Sequence, residues 1–312
     1  MDVVTSLQNL VAMIKNLDEL IVAAQSQVRK KMVLVNGIDA HSLEAASKAA
    51  DLGLVDVIVT GDQQQIEQIC GELEIPTNTF QCINAKTEDE AAGLALELIA
   101  EGKANCIMKG LISTDKYMRA LLNKELGMIG SKGLLSHVTV VENRNYHKLL
   151  FVSDVAIIPY PDLKQKTVMI SYLIETANKF GIDLPKVALI AATEQVLPSI
   201  PACVEAAMLS KMADRGQITG ALVDGPMALD VAIDEESARI KKISSPVAGD
   251  ADCLLFPNID AGNVFYKLST KLCESNQAAV VVGARVPAVL SSRGDSVQTK
   301  LNSIALAALL SS

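Results

Sequence analysis

Met32-Val33-Leu34-Val35-Asn36-Gly37 is an apolar run closed by a turn pair, and its pattern returns as VDVIVTG at 55–61, ANCIMKG at 104–110 and HVTVVEN at 137–143. A second series follows: LLFVSDVAIIP at 149–159, VALIAA at 187–192, GALVDGP at 220–226, DCLLFPN at 252–258 and AAVVVG at 278–283. Short apolar runs bounded by turn residues suit strands buried on both faces. Between them, Ser42 to Leu52, Thr87 to Glu101, Gln165 to Phe180 and Ile200 to Arg215 carry apolar residues at helical spacing. Strand and helix alternate, which predicts an α/β fold built from βαβ units. Because the runs fall into two series, two sheets are expected.

The composition agrees with that fold. Half of the 312 residues are hydrophobic, yet there are only five Phe, five Tyr and no Trp, so Ala, Val, Ile and Leu must build the core. A chain of this length usually divides its core. Strand counting predicts one α/β domain from residues 1–140 plus 288–312 and a second from 141–287. The closing segment, Ser296 to Leu310, sets Val297, Leu301, Ile304, Ala305, Ala308 and Leu309 on one helical face and is expected to return to the first domain. The opening segment repeats Leu7, Ile14, Ile21 and Val28, with Leu10, Leu17 and Ala24 between them. That spacing fits either a dimerising coiled coil or an amphipathic helix packed on the first domain, and the second is the expectation.

Several classes of function lose support. The formal charge of −8 gives no basic surface for nucleic acid. No apolar stretch reaches membrane-spanning length, and MDVVTSLQNLVAMIKNLDEL lacks the cationic lead of a signal peptide, so a cytoplasmic location is expected. Six cysteines, at 70, 82, 106, 203, 253 and 273, form no CxxC pair and read as reduced, buried thiols. There is no GxxxxGK[ST], no GxGxxG after a strand and no GxSxG. His41, His137 and His147 are too far apart for a metal signature, and His137 reads as a structural histidine.

Two strand exits carry chemistry. In Pro287-Ala288-Val289-Leu290-Ser291-Ser292-Arg293-Gly294-Asp295-Ser296 an apolar strand gives way at once to a helix. The first-turn N–H groups and the positive end of the helix dipole would face an anion there, with Gly294 allowing close approach and Arg293 offering a fork to phosphate or carboxylate. The same residues also fit a plain helix start, with Asp295 or Ser296 as the cap. The second exit is Met108-Lys109-Gly110-Leu111-Ile112-Ser113-Thr114, followed by a helix that contains Arg119. Lys109 ends its strand where open α/β sheets bind ligands. A surface lysine and a helix-borne ion pair are the plainer alternatives.

These segments resemble the phosphate acetyltransferase and phosphate butyryltransferase family. The resemblance runs through IMKGLISTDKYMRALLNKELG (107–127), FVSDVAIIPYPDL (151–163), ALVDGPMALDVAI (221–233), SPVAGDADCLLFPNIDAGNVFYKL (245–268) and LSSRGDS (290–296). It implies two three-layer α/β/α domains like those of isocitrate and isopropylmalate dehydrogenases, with the active site in an interdomain cleft. It also implies a homodimer, acyl-CoA and phosphate as substrates, no tightly bound cofactor, and a pathway link to a kinase that uses the acyl phosphate. The family's Ser-Arg pair falls on Ser292 and Arg293, and its arginine after the second exit falls on Arg119. With Asp295, these are the candidate catalytic residues. Lys109, Gly110, Ser113, Thr114, Gly294 and Ser296 are the candidate substrate-binding residues.

One position departs from the acetyltransferase pattern. The aspartate expected seven residues after the serine is Thr299 here, which leaves Asp295 as the nearest carboxylate. The chain is similar to the butyryltransferase branch in this, and in Met108-Lys109-Gly110 and Ser296-Val297-Gln298-Thr299-Lys300. A butyryl or branched acyl group is therefore expected, with phosphate acetyltransferase activity and a catalytically silent acyl-CoA-sensing module as the alternatives.

Overall fold

The computed structural model describes residues 13–290 and 294–311. Its strands are β1 (Lys30–Val35), β2 (Val55–Gly61), β3 (Phe80–Asn84), β4 (Cys106–Lys109), β5 (Ser136–Glu142), β6 (Leu150–Ser153), β7 (Lys186–Ile190), β8 (Leu222–Met227), β9 (Cys253–Leu255), β10 (Asn276–Val282) and β11 (Ala288–Val289). Its helices are α1 (Leu17–Gln25), α2 (Ala40–Asp51), α3 (Gln63–Glu72), α4 (Glu88–Ala100), α5 (Thr114–Leu121), α6 (Leu163–Lys179), α7 (Pro201–Asp214), α8 (Leu229–Ile233), α9 (Glu235–Ile240), α10 (Ile259–Lys271) and α11 (Val297–Leu310).

The strands form one sheet in the order β3-β2-β1-β4-β11-β10-β5-β6-β9-β7-β8. The expectation of two separate sheets is thereby corrected. The two predicted series of strands are joined at the middle of the sheet because β10 pairs antiparallel with both β11 and β5, and β5 pairs antiparallel with β6. On either side of this reversal the strands are parallel: β3, β2, β1, β4 and β11 in one half, and β6, β9, β7 and β8 in the other. The three reversals make the two parallel sets run in opposite directions.

Strand residues alternate between the two faces. Met32 and Leu34 of β1 join the cluster on one face, built with α1, α2, α3, α6, α7 and α11. Val33 and Val35 join the cluster on the other face with α4 and α5. Under the second half that other face is covered by α8, α9 and α10. A sheet buried on both sides needs continuous apolar strands, which is why the runs were legible. Local signals start the helices where the sequence changes: Asp39, Thr87, Asp162 and Ser296 each cap a helix N-terminus by accepting a backbone N–H three residues on.

α11 lies against α1, α2 and β10, so the last residues close the core of the first half. Of the opening repeat, Leu7 and Leu10 lie outside the described residues. Ile14, Leu17 and Ala24 are buried, while Val28 is exposed beyond the end of α1. α1 is thus an amphipathic helix on the first half. The cysteines are all free, and Cys70, Cys106, Cys203 and Cys253 are buried. Among the described residues no helix is long and apolar enough to cross a membrane.

Candidate active site

In the first half the chain moves outward from β1 to β2 and β3 with α2 and α3 on one face. It then crosses back beneath the other face through α4 and enters the sheet on the far side of β1 as β4. The ends of β1 and β4 are therefore a topological switch point, where connections leave toward opposite faces and open a crevice. β11 then adds itself parallel to β4, with Ala288 beside Ile107 and Val289 beside Met108. That register sets the residue after Val289 level with Lys109. The two exits singled out in the sequence are neighbours in space, although about 180 residues separate them.

The crevice is a cavity of about 170 Å³ lined by Asp39, His41 and Ser42 after β1, Lys109, Gly110 and Leu111 after β4, and Lys300 from α11. α2, α5 and α11 all begin at this edge, capped by Asp39, Ser113 and Ser296. Lys109 is 8 % exposed, and its Nζ donates to Gly110 O at 3.3 Å. Gly110 is fixed by the approach of β1. A Cβ there would stand 2.6 Å from both Val35 O and Asn36 O. The N–H groups of Gly110 and Leu111 donate to Val35 O and Asn36 O, each at 2.9 Å, so they are committed to the fold. Asn36, at φ 50, turns β1 away and donates its side-chain N–H to Leu111 O.

Other candidate residues fall as follows. Ser292 and Arg293 lie outside the described residues. Arg119 is in the last turn of α5, exposed, and is not among the residues that line the cavity. Ser113 accepts from Lys116 N at 3.3 Å as the cap of α5, and Thr114 opens that helix. Ser296 accepts from Thr299 N at 3.1 Å, and its hydroxyl lies 3.0 Å from that of Thr299. The plain helix-start reading thus accounts for Ser296, and Thr299 is absorbed into the same cap. Gly294 is exposed and has room beside it for a Cβ. Asp295 is half-buried and accepts from Tyr266 Oη of α10 at 3.3 Å, which ties the second half of the sheet to the start of α11.

His137, at the start of β5, reaches the same junction from below. It is 2 % exposed, with Nδ1 3.2 Å from Thr139 Oγ1 and the ring against the Leu290 carbonyl. Burial pushes its pKa down against the pull of Asp154 and Asp295, which keeps the imidazole neutral. Its backbone N–H and the Ser136 hydroxyl both donate to Asp154, whose other oxygen accepts from Ala156 N and Ile157 N. Asp154 is therefore a fully bonded structural carboxylate. Burial pushes the Cys106 thiol up to about 12 and raises Cys253 well above its usual range, so neither supplies a thiolate. Among the described residues no cluster of His, Cys, Asp and Glu is arranged to hold a metal.

Sequence reading missed Lys300 and the β1 exit. Lys300 was quoted only as part of a segment, although a lysine in the first turn of a helix, where the dipole opposes it, is itself a signal. Asp39, His41 and Ser42 carried none, since they look like any helix start.

The phosphate acetyl/butaryl transferase family model matches residues 88–308. The phosphate butyryltransferase of Clostridium acetobutylicum is 44% identical over 298 residues, covering 96% of this chain and 99% of that protein. The phosphate acetyltransferase of Rhizobium meliloti is 39% identical over 292 residues, covering 94% and 92%. Among solved structures, a branched-chain phosphotransacylase from Enterococcus faecalis V583 matches with a TM-score of 0.81 and 30% identity, covering 90% of this chain and 98% of that one. With a family model spanning most of its length, relatives matched nearly end to end and a shared fold, the chain belongs to the phosphate acetyl/butyryl transferase family.

Proposed function

We propose that this enzyme transfers a short acyl group reversibly between coenzyme A and inorganic phosphate, acyl-CoA + phosphate = acyl phosphate + CoA. The observation that carries the reading is the pairing of β4 with β11, which sets Lys109 level with the exit that leads into Ser292 and Arg293. The reaction is a direct displacement. A hydrogen-phosphate oxygen attacks the thioester carbonyl carbon, the tetrahedral intermediate collapses, and the carbon–sulfur bond breaks. The proton lost by the attacking phosphate is the one the CoA thiolate takes up, and Asp295, the carboxylate nearest to Ser292 in the sequence, relays it.

Arg293 and Arg119 orient the phosphate, replacing a bimolecular encounter with a positioned attack. Ser292 donates to the developing oxyanion or the departing sulfur. Lys109 supplies positive charge at the strand end. The buried Cys106 and Cys253, whose thiols burial keeps protonated, support a mechanism without an acyl-enzyme.

The preferred acyl group is butyryl or branched. Support comes from Thr299, which stands where a base would be needed and is held by the Ser296 cap of α11, and from relatives named for butyryl and branched-chain substrates. The Rhizobium meliloti relative favours acetyl as the second reading. The enzyme works as a cytoplasmic homodimer, feeds an acyl-phosphate kinase, and divides into domains at 1–140 plus 288–312 and at 141–287.

CoA release from acetyl-, propionyl-, butyryl- and isobutyryl-CoA, with and without phosphate, tests this. Phosphate-dependent release fastest with four-carbon substrates is the expected result. An acetyl preference moves the protein to the second reading. Absence of phosphate-dependent release from any substrate overturns the proposal in favour of acyl-CoA sensing.

A further inference from the structure

The crevice between β1 and β4 is walled by charged and polar residues, with one exception: among the described residues that line it, Leu111 alone has a large apolar side chain. We propose that the Leu111 side chain is the contact for the acyl chain of the substrate and sets the preference for four-carbon chains over acetyl. The inference rests on the reading that the chain binds acyl-CoA and transfers its acyl group.

The turn that carries Leu111 is held from both sides. Its N–H donates to Asn36 O at 2.9 Å, and its carbonyl accepts from the Asn36 side chain. Asn36 is itself buried and sits at φ 50, in the left-handed region that asparagine adopts more readily than most residues. On one side of Leu111 stands Gly110, which β1 approaches too closely for any Cβ. On the other, Ile112 is 2 % exposed and joins the core with α4 and α5. Leu111 itself is 42 % exposed and faces the crevice. A lone exposed leucine on an open surface means nothing. Here the backbone is clamped, the position is a topological switch point, and the uncovered apolar surface leaves water only when an apolar group enters.

Connectivity and size decide which part of the substrate meets it. An acyl-CoA has two apolar parts besides its nucleotide, the acyl chain and the pantetheine arm, and they leave the thioester in opposite directions. Lys109, two residues before Leu111, stands level with the exit of β11, where phosphate and thioester carbonyl meet in the reaction above. An apolar side chain so close to the reacting carbon meets the acyl chain, whose carbons follow directly on the carbonyl. The dimethyl group of the pantetheine arm lies at the far end from the sulfur. A cavity of about 170 Å³ is smaller than the roughly 300–1,000 Å³ that encloses a drug-sized molecule, so it takes one end of the ester and not the nucleotide. Acetyl brings a single methyl group to Leu111, whereas butyryl and isobutyryl each add two carbons of apolar surface.

The test compares kcat/KM for acetyl-, butyryl- and isobutyryl-CoA at saturating phosphate in full-length parent, Leu111→Ala and Leu111→Met enzymes. Each methylene that loses its apolar cover costs roughly fourfold, so Leu111→Ala should lower the butyryl-to-acetyl ratio by between roughly fourfold and fifteenfold. Leu111→Met keeps volume and apolar character and should stay within about threefold of the parent ratio. An unchanged ratio in Leu111→Ala overturns the proposal, as do equal losses for all three esters, which place the contact on the pantetheine arm. Because the side chain stands in the crevice, the melting temperature of Leu111→Ala should remain within about 2 °C of the parent. A larger fall assigns Leu111 to the core and also overturns the proposal. Ligand stabilisation is a readout without turnover. At equal concentrations butyryl-CoA should raise the melting temperature of the parent more than acetyl-CoA does, and the difference should shrink in Leu111→Ala. The same difference in both proteins refutes the acyl contact. If the parent shows no phosphate-dependent CoA release, the transferase reading fails on its own, while this melting comparison still tests the contact.

Discussion

Gly110→Ala is the substitution that probes the crevice most directly, because it adds one methyl group and no charge. The new Cβ would stand 2.6 Å from Val35 O and 2.6 Å from Asn36 O, both backbone atoms of the neighbouring strand end. Neither can rotate away, so the end of β4 must retreat, straining the hydrogen bonds from Gly110 N and Leu111 N to β1. Overpacking of this kind costs about 1–3 kcal/mol. For a protein of this size that lowers the melting temperature by several degrees, on the order of 2–4 °C for each kcal/mol. The retreat carries Lys109 with it, and a displacement of about 1 Å in a positioning group costs on the order of a hundredfold in turnover. Thermal unfolding and phosphate-dependent CoA release measure the two effects. Gly93→Ala is the control: its Cβ meets nothing within 4 Å in the middle of α4, so it should stabilise by roughly 0.5–1 kcal/mol and leave turnover alone. Gly110→Ala enzyme with parental melting temperature and parental turnover would refute the argument that β1 and β4 shape the site through this contact.

Ser292→Ala should lower turnover on the order of a hundredfold with little change in substrate affinity, since one oxyanion donor is worth roughly 3 kcal/mol in the transition state; unchanged steady-state turnover defeats that role. Tyr117→Phe removes a buried hydroxyl that bonds to Ile107 O at 3.3 Å and Val289 O at 3.2 Å, bridging β4 and β11. About 1 kcal/mol of stability should be lost in urea titrations, and a variant as stable as the parent denies the bridge any net value. At Asp250, burial pushes the carboxyl pKa up, but hydrogen bonds from Lys186, Lys148 and His147 outweigh it and hold the group below the usual carboxylate range. A depressed carboxylate contributes stability above its unfolded pKa and loses it as pH falls through the folded value. Asp250→Asn should therefore destabilise the protein at neutral pH and flatten the acid limb below about pH 4, as followed by melting temperature against pH; parallel curves for the two proteins rule this out.

Most strands were legible because burial on both faces demands unbroken apolar runs. Val55–Gly61 lies just where the VDVIVTG run sets it, and Thr87 and Glu101 flank α4 as cap residues. β3 was not found. Its sequence, FQCIN, serves an edge strand whose only neighbour among the described residues is β2, so polar Gln81 and Asn84 are tolerated and the signature of burial disappears. The run at 149–159 was too long to be one strand, and only Leu150–Ser153 pairs, since Asp154 turns back to bond Ala156 N and Ile157 N. One sheet was read as two because antiparallel pairing between β10 and β5 is a long-range choice that no local pattern encodes. The site divides in the same way. Lys109 was visible as a cation ending a strand, whereas Lys300 acquires meaning only once α11 is folded against the β1 and β4 exits.

The place of β11 in the sheet also fixes an order of events during synthesis. β4 is complete at Lys109, yet the strand that covers its free edge is Ala288–Val289, and the helix that seals the first core begins at Val297. At about 5–20 residues per second, the chain between them takes roughly ten to forty seconds to emerge. Through that interval the growing polypeptide carries an open sheet edge at Cys106–Lys109 and an uncovered face on β1 and β4. Such an edge is a template for pairing with other chains. That edge therefore stays unpaired in the nascent chain until Ala288–Val289 has been made and can dock beside β4.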